Sequence, residues 1–332
     1  MQETRSDPIL LTEADVKALL PMDDLIPVMA SALSDFSAKK VTQPLRTVLA
    51  VGEQHAFYGV MPAYILGTPA LGTKLVTVFG GNAQRGLPTH LAMIVLLDPE
   101  TGALLALMDG RYITEARTGA VSAVSVQQLA REDASVLAII GSGVQARSHL
   151  EAIARVRTLT EVRVWSRTPA KVGAFVTAMQ PQTDARIHQA GSCEEAVRDA
   201  AIVALTTASK EPVVRSEWIA DGTHICAVGA CRPAEREMDA TLVARGSLYV
   251  DSREAALAEA GDIVLAIKDG AIGATHIKGE LGEVVDGKVP GRTAAEQVTI
   301  FKSLGMAVED VAAAHLVYQR ARASGVGTEF AL

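Results

Sequence analysis

Apolar positions along this chain recur first at helical spacing, then at strand spacing, then in an alternation of the two. Residues 8–40 hold a short apolar start, the capping-type stretch Thr12-Glu-Ala-Asp15, and a pattern of two helices, the second running roughly from Met22 to Ala38. Pro44 ends that helical region. From Leu45 to Met108, short β-type runs follow one another between turn residues: Arg46–Val51, Ala56–Met61, Leu71–Phe79, His90–Leu97 and Leu104–Met108. They predict an antiparallel sheet or an open barrel. A helix is expected from near Thr114 to about Ala130. Beyond it, runs at Val136–Ile140, Val162–Trp165, Arg186–His188, Ile202–Thr206, His224–Val228, Ser247–Val250 and Ile263–Leu265 alternate with helical periods. That spacing predicts an α/β fold with a parallel, doubly wound sheet of the Rossmann type. A long amphipathic segment, Phe301–Ala323, follows. With no internal repeat and no Ser/Pro/Gly-rich linker, two domains interleaved through connecting helices are expected.

Composition narrows the function classes. The 332 residues suffice for about two domains with proper cores. Hydrophobic residues make up 49% and charged residues 21%, the balance of a folded globular protein rather than a disordered one. The longest apolar run, Leu91–Leu97, is far short of the ~20 residues of a membrane span. A net charge of −7 repels phosphate backbones and anionic lipid, so neither nucleic acid nor membrane is an expected partner. Cys193, Cys226 and Cys231 show no metal-type pairing, and the N-terminus has no signal pattern. A reducing, cytoplasmic setting without a metal site is expected.

The motif with the most chemical content is Ser135-Val-Leu-Ala-Ile-Ile140-Gly141-Ser-Gly143-Val144-Gln145-Ala146, which reads as a buried strand, a glycine turn and a helix. Gly141 permits the turn, and Gly143 lets backbone N–H groups approach a pyrophosphate at the positive end of the helix. Ala146 still allows close helix-to-strand packing. A lone glycine motif is weak evidence, but here the next strand arrives about 20 residues later as Glu161-Val-Arg-Val-Trp-Ser166-Arg167-Thr168. At the end of that strand an acid would bind the ribose 2′-hydroxyl of NAD. Ser166 and Arg167 instead suit a 2′-phosphate, which favours NADP(H) while leaving NAD(H) open, since Arg167 can also stack on adenine.

Three cations lie in settings that surface charges seldom occupy: Arg46 inside a β-type run, Lys74 at the head of Leu75-Val-Thr-Val-Phe79, and Arg117 at the start of a small-residue helix. Each alone reads equally as a solvated or snorkelling cation. Together they suit a small α-imino or α-keto acid, two guanidiniums binding its carboxylate and the lysine its nitrogen or carbonyl. His55 and His90 lie in the same region and read more readily as satisfied core or surface histidines.

Several blocks, in order along nearly the whole chain, resemble the ornithine cyclodeaminase and mu-crystallin family. They are Arg46, Gly72-Thr-Lys74-Leu-Val, Asp109-Gly110 with Thr114-Glu-Ala-Arg117-Thr-Gly-Ala-Val-Ser-Ala123, Gly141-Ser-Gly-Val-Gln-Ala146, Val228-Gly-Ala-Cys-Arg-Pro233 with Arg236-Glu237, Tyr249-Val-Asp-Ser-Arg-Glu254, and Phe301-Lys-Ser-Leu-Gly-Met-Ala-Val-Glu-Asp310. The resemblance implies a homodimer. A substrate-binding and dimerisation domain would comprise residues 1–118 and 305–332, with a Rossmann domain over 119–304. It implies Arg46 and Arg117 as ligands of the substrate carboxylate and Lys74 beside the reacting nitrogen. Gly141, Gly143, Val144, Gln145, Ser166, Arg167 and Thr168 would contact the dinucleotide. Thr89 and His90 would lie near its nicotinamide side, and Thr206 and Val228 under it.

Activities in the family include ornithine cyclodeamination, reduction of cyclic ketimines and alanine dehydrogenation. The cyclodeaminases carry a catalytic aspartate where Cys231 stands, and a thiol has no fixed negative charge at neutral pH unless its pKa is strongly lowered. The expected activity is therefore NAD(P)H-dependent reduction of 1-pyrroline-2-carboxylate or 1-piperideine-2-carboxylate. The alternatives are cyclodeaminase or alanine-dehydrogenase-like deamination, or a catalytically silent dinucleotide-binding structural protein.

Overall fold

Two α/β units make up the computed structural model, which describes residues 7–52 and 56–331; one comprises Met1–Arg117 with Met306–Leu332, the other Thr118–Gly305. His55 lies outside the described residues. The first unit opens with β1 (Ile9–Leu11), α1 (Glu13–Leu19) and α2 (Met22–Ser37). Thr12 and Asp15 cap α1 reciprocally, as the sequence pattern predicts. Strands β2 (Val41–Thr42), β3 (Thr47–Val51), β4 (Ala56–Ile65), β5 (Ala70–Val78), β6 (His90–Leu97) and β7 (Leu104–Asp109) follow, and the chain returns at its end with α11 (Ala307–Ser324) and β16 (Thr328–Glu329). The strand order is β16-β1-β7-β6-β5-β4-β2, with β3 also on β4, so the sheet runs as a linear path and only the β1–β7 pair is parallel. Side chains alternate across it. Met61, Ala63 and Ile65 on β4 and Ile94 and Leu96 on β6 are buried on the face that α11 covers.

In the second unit all eight strands are parallel: β8 (Val136–Ile140), β9 (Glu161–Trp165), β10 (Arg186–Gln189), β11 (Ile202–Leu205), β12 (His224–Ala227), β13 (Ser247–Val250), β14 (Ile277–Glu280) and β15 (Thr299–Lys302), in the order β10-β9-β8-β11-β12-β15-β13-β14. Residues of α3 (Arg111–Leu129) from Thr118 onward belong here, with α4 (Val144–Val156), α5 (Pro169–Met179), α6 (Cys193–Val197), α7 (Ala240–Arg245), α8 (Arg253–Glu259), α9 (Gly261–Lys268) and α10 (Leu281–Val285). Ala138 and Ile140 of β8 belong to one apolar cluster, and Leu137 and Ile139 to another. Both faces of the sheet are thus covered, which explains why its strands are continuous apolar runs.

The structure corrects the sequence reading in three places. Ile263–Leu265 is not a strand but the middle of α9. A three-residue apolar run does not separate a strand from a buried helix. The strand of that region is Ile277–Glu280, whose mixed Ile-Lys-Gly-Glu sequence shows no strand periodicity. Phe301 and Lys302 end strand β15, and the closing helix starts only at Ala307, after Gly305 takes a φ of 78° that breaks the extended run. Arg46 lies in the connection before β3, not inside a strand. Among the described residues, no helix is long and apolar enough to cross a membrane.

Candidate functional site

The dinucleotide motif folds into the strand, turn and helix it predicts. Gly141 has a φ of 122°, and a Cβ there would meet Thr206 Oγ1 at 2.5 Å, so only glycine fits the turn. Gly143 caps α4 with no side chain bonded to the helix's first N–H groups, and a Cβ built on it meets nothing within 4 Å. An open, uncapped helix N-terminus behind a glycine turn is the cradle a pyrophosphate needs. Ala146 is fully buried, as close packing of α4 requires. Val144 is half exposed at the helix start, and the Gln145 side chain accepts from the Ser148 hydroxyl.

The residues after β9 gather at the same turn. The Ser142 hydroxyl donates to Ser166 Oγ at 3.1 Å, and the Thr168 N–H donates to the same oxygen at 3.3 Å. Arg167 is exposed between them. Thr206 donates through its N–H and its hydroxyl to the Ile140 carbonyl, holding the end of β11 against the end of β8. Val228 is buried just beyond β12. The nine residues the sequence assigns to the cofactor in this unit thus cluster at the carboxyl ends of adjacent strands, where doubly wound sheets bind ligands.

In the first unit the lysine and one arginine meet around two acids that the sequence reading had not singled out. Lys74 sits inside β5 on the covered face and is 2% exposed. Its Nζ lies 2.5 Å from Asp310 Oδ2 and donates to Thr114 Oγ1 at 3.4 Å. Arg117, 4% exposed, donates through Nε to Asp310 Oδ1 at 3.0 Å and through Nη1 to Glu309 at 2.7 Å. Both acids lie in the first turn of α11 and are fully buried. Gly72 makes this approach possible: a Cβ there would meet the Val95 carbonyl at 2.8 Å and Val311 at 3.3 Å, so glycine lets α11 lie against β5 beside Lys74.

The electrostatics follow from burial. Burial pulls the Lys74 ammonium down to about 8, with Asp310 opposing the shift and Arg117 adding to it. Burial works to raise the Asp310 carboxyl, but the charges and hydrogen bonds of Arg117 and Lys74 together hold it below its usual value. His90, half-buried at the start of β6, is lowered to about 4 by burial and then by Lys74 and Arg117, so it is neutral at pH 7. Thr89 is exposed beside it, and its carbonyl accepts from Phe79. Arg46 is half-buried. Lys74 and Arg117 are therefore neither solvated nor snorkelling. The acids that hold them lay unremarked within the Phe301–Asp310 block, inside a segment read as one amphipathic stretch from Phe301; the signal was two adjacent acids entering an apolar, buried helix.

An all-parallel sheet with a pyrophosphate cradle, and a buried lysine–arginine–carboxylate cluster on a second sheet, define a dinucleotide-dependent oxidoreductase. The chain belongs to the ornithine cyclodeaminase/mu-crystallin family, whose sequence model matches residues 6–325. It is 46% identical to the ketimine reductase mu-crystallin of Mus musculus over 297 residues, 89% of this chain and 91% of that protein. Its fold matches the Delta(1)-pyrroline-2-carboxylate reductase of Thermococcus litoralis in complex with NADH and L-proline, with a TM-score of 0.95 and 39% identity over 97% of this chain and 100% of that one. It also matches an archaeal alanine dehydrogenase dimer with bound NAD, with a TM-score of 0.93 and 35% identity over 98% of this chain and 99% of that one.

Proposed function

We propose that this protein reduces a small cyclic α-imino carboxylate, 1-pyrroline-2-carboxylate or 1-piperideine-2-carboxylate, to the L-amino acid at the expense of a reduced nicotinamide dinucleotide. The buried Lys74–Asp310–Arg117 cluster carries this reading. It holds an ammonium that can give up a proton near neutral pH and a guanidinium fixed on two acids. Arg46 and Arg117 orient the substrate carboxylate, and Lys74 hydrogen-bonds the imine nitrogen and supplies its proton. Gly141, Gly143, Val144, Gln145, Ser166, Arg167, Thr168, Thr206 and Val228 hold the dinucleotide, with Thr89 and His90 toward its nicotinamide. When bound, that group supplies the hydride. The likeness to a reductase bound to NADH and L-proline supports the assignment, because proline is the saturated form of the five-membered ketimine.

Cys231 separates this activity from ornithine cyclodeamination. Its thiol is half-buried and donates to the Val228 carbonyl at 3.2 Å, where the cyclodeaminases have a carboxylate. Absorbance at 340 nm, followed with both ketimines and with ornithine, is expected to show rapid NAD(P)H consumption with a ketimine and negligible proline and ammonia from ornithine. Ornithine turnover rivalling imine reduction overturns the assignment. No turnover of either ketimine alongside intact dinucleotide binding would instead favour the silent structural protein.

NADP(H) is the preferred dinucleotide in this reading, because the Ser166 hydroxyl and the Arg167 guanidinium stand together where an acid would read NAD. NADPH should bind more tightly than NADH, and Arg167→Ala should narrow the gap by roughly tenfold, the scale of one charge-assisted hydrogen bond. Equal dissociation constants for the two cofactors in the unmutated protein would refute this.

A cytoplasmic homodimer completes the reading. The sheet face of the first unit opposite α11 is largely apolar: Val60, Pro62 and Tyr64 on β4 run beside Leu71 and Leu75 on β5, and Leu91, Met93 and Val95 on β6, with Thr73 and Thr77 among them. Leu91 and Met93 are 40% and 41% exposed, and an apolar face of this extent marks an interface. The dimeric alanine dehydrogenase supports a second copy as its cover. The three free cysteines suit a reducing compartment.

A further inference from the structure

Glu237 is a fully buried acid with no part in the chemistry above. One of its carboxylate oxygens accepts from the Thr207 N–H at 2.6 Å and from the Thr207 hydroxyl at 2.7 Å. The other accepts from the Gly229 N–H at 2.7 Å. Thr207 and Gly229 lie just past the carboxyl ends of β11 and β12, which are adjacent in the sheet, and each directly follows a residue assigned to the dinucleotide, Thr206 or Val228.

The bracket is built to one geometry. A Cβ on Gly229 would meet the Thr207 carbonyl at 1.9 Å and Glu237 Oε1 at 2.6 Å, so glycine is required for the two loops to approach. The Glu237 backbone is itself fixed: its N–H donates to Asp262 at 2.8 Å, and its carbonyl accepts from Val213 at 2.8 Å and Val214 at 3.1 Å. The other oxygen of Asp262 pairs with Lys302 Nζ at 3.2 Å, and both residues are fully buried. Asp262 is the ion-pair partner of that ammonium, whose charge also reaches Glu237, and Glu237 takes its hydrogen-bond donors from the two loops.

We propose that Glu237 is a positioning residue for the dinucleotide, its carboxylate tying the Thr206–Thr207 loop to the Val228–Gly229 loop and so setting the floor of the cofactor site. The proposal rests on the dinucleotide reading above. An ionised carboxylate serves all three donors at once, whereas a protonated one turns an O–H toward a donor and loses an acceptor. Burial raises the Glu237 carboxyl to about 7, with Lys302 opposing the shift and Asp262 adding to it. The titratable groups around it are Lys302 at the end of β15, Asp262 on α9, Cys193 on α6 and, in the loop it brackets, Cys231. With its pKa raised, this group contributes stability that is present at low pH and lost as pH rises through about 7. The bracket behaves oppositely, tightening as Glu237 ionises. A merely structural carboxylate would not divide the two in this way.

The test is the Kd of NADH, whose phosphates do not titrate near neutrality, measured by nucleotide fluorescence between about pH 6 and 8.5 on the wild type and Glu237→Gln. At pH 8 the variant should bind about tenfold more weakly, because its amide faces the Gly229 N–H donor to donor. Wild-type affinity should fall from pH 8 to 6, and the variant's should stay flat. A variant Kd within twofold of wild type at pH 8 overturns the proposal. Should Glu237→Gln fail to fold, Thr207→Val decides; it removes the hydroxyl that donates to Glu237 and accepts from the Ser209 N–H but keeps the Thr207 N–H bond to the carboxylate. A Kd raised about threefold supports the bracket, and an unchanged Kd overturns it. A wild type that binds neither NADH nor NADPH fails the dinucleotide reading itself, a result distinct from equal binding by both proteins.

Discussion

Lys74→Met should lower kcat for 1-pyrroline-2-carboxylate by roughly a hundred- to ten-thousandfold, the range of a lost general acid, while the Kd of NADPH stays unchanged. The expectation comes from where the ammonium sits. A lysine in water holds its proton too tightly to be an efficient acid at pH 7, but burial has brought Lys74 to about 8. The donor form therefore dominates below that value, and kcat should decline as pH rises through it. Lys74→Arg keeps a cation opposite Asp310 but cannot release a proton at any accessible pH, so it should be slow and should lack the alkaline limb. If Lys74 served only as a counter-ion, Lys74→Arg would restore the rate. Lys74→Met retaining kcat within about threefold would remove the lysine from the chemistry.

What was legible in the sequence divides by range. The glycine turn, its strand and its helix are local, and Gly141, Gly143 and Ala146 form the tight turn, the open helix start and the close packing their spacing implies because backbone geometry over a dozen residues decides them. The strands of both units were largely visible because strands buried on both faces read as apolar runs and half-buried ones alternate. Where the signal was short the reading slipped, as at Ile263–Val264–Leu265, which α9 claims. The substrate cluster was half legible. Lys74 and Arg117 stood out as cations in apolar surroundings, but their partners lie 236 and 193 positions away in the chain for the pairs with Asp310. Nothing local distinguishes a first-turn helix acid that faces water from one that a glycine on a distant strand draws into the core. Glu237 was hidden for the same reason: it follows Arg236 with no local mark of its burial, and its three donors come from two loops separated in sequence.

Arg117→Ala is expected to fail on two counts, and the structure changes how the failure must be read. From sequence alone this replacement tests the carboxylate clamp: loss of a desolvated partner for the substrate anion should lower kcat/KM by about 2 to 5 kcal/mol, some thirty- to several-thousandfold. Yet the guanidinium also holds Glu309 and Asp310, both fully buried. Removing it takes a shared cationic partner from two buried carboxylates, a change that typically costs about 3–5 kcal/mol of stability. A lowered Tm is therefore expected together with the lost activity, and activity alone cannot say which came first. Arg117→Lys separates them. An ammonium there can still neutralise Asp310 and Glu309, so most of the Tm should return, but it lacks the planar fork that grips a carboxylate through two parallel bonds. KM for the imino acid should then remain raised about tenfold or more, and Arg46→Ala, in the half-buried connection before β3, should raise KM with little change in Tm. If Arg117→Lys recovers both stability and KM, Arg117 is a structural cation for α11, and Arg46 must orient the substrate without it.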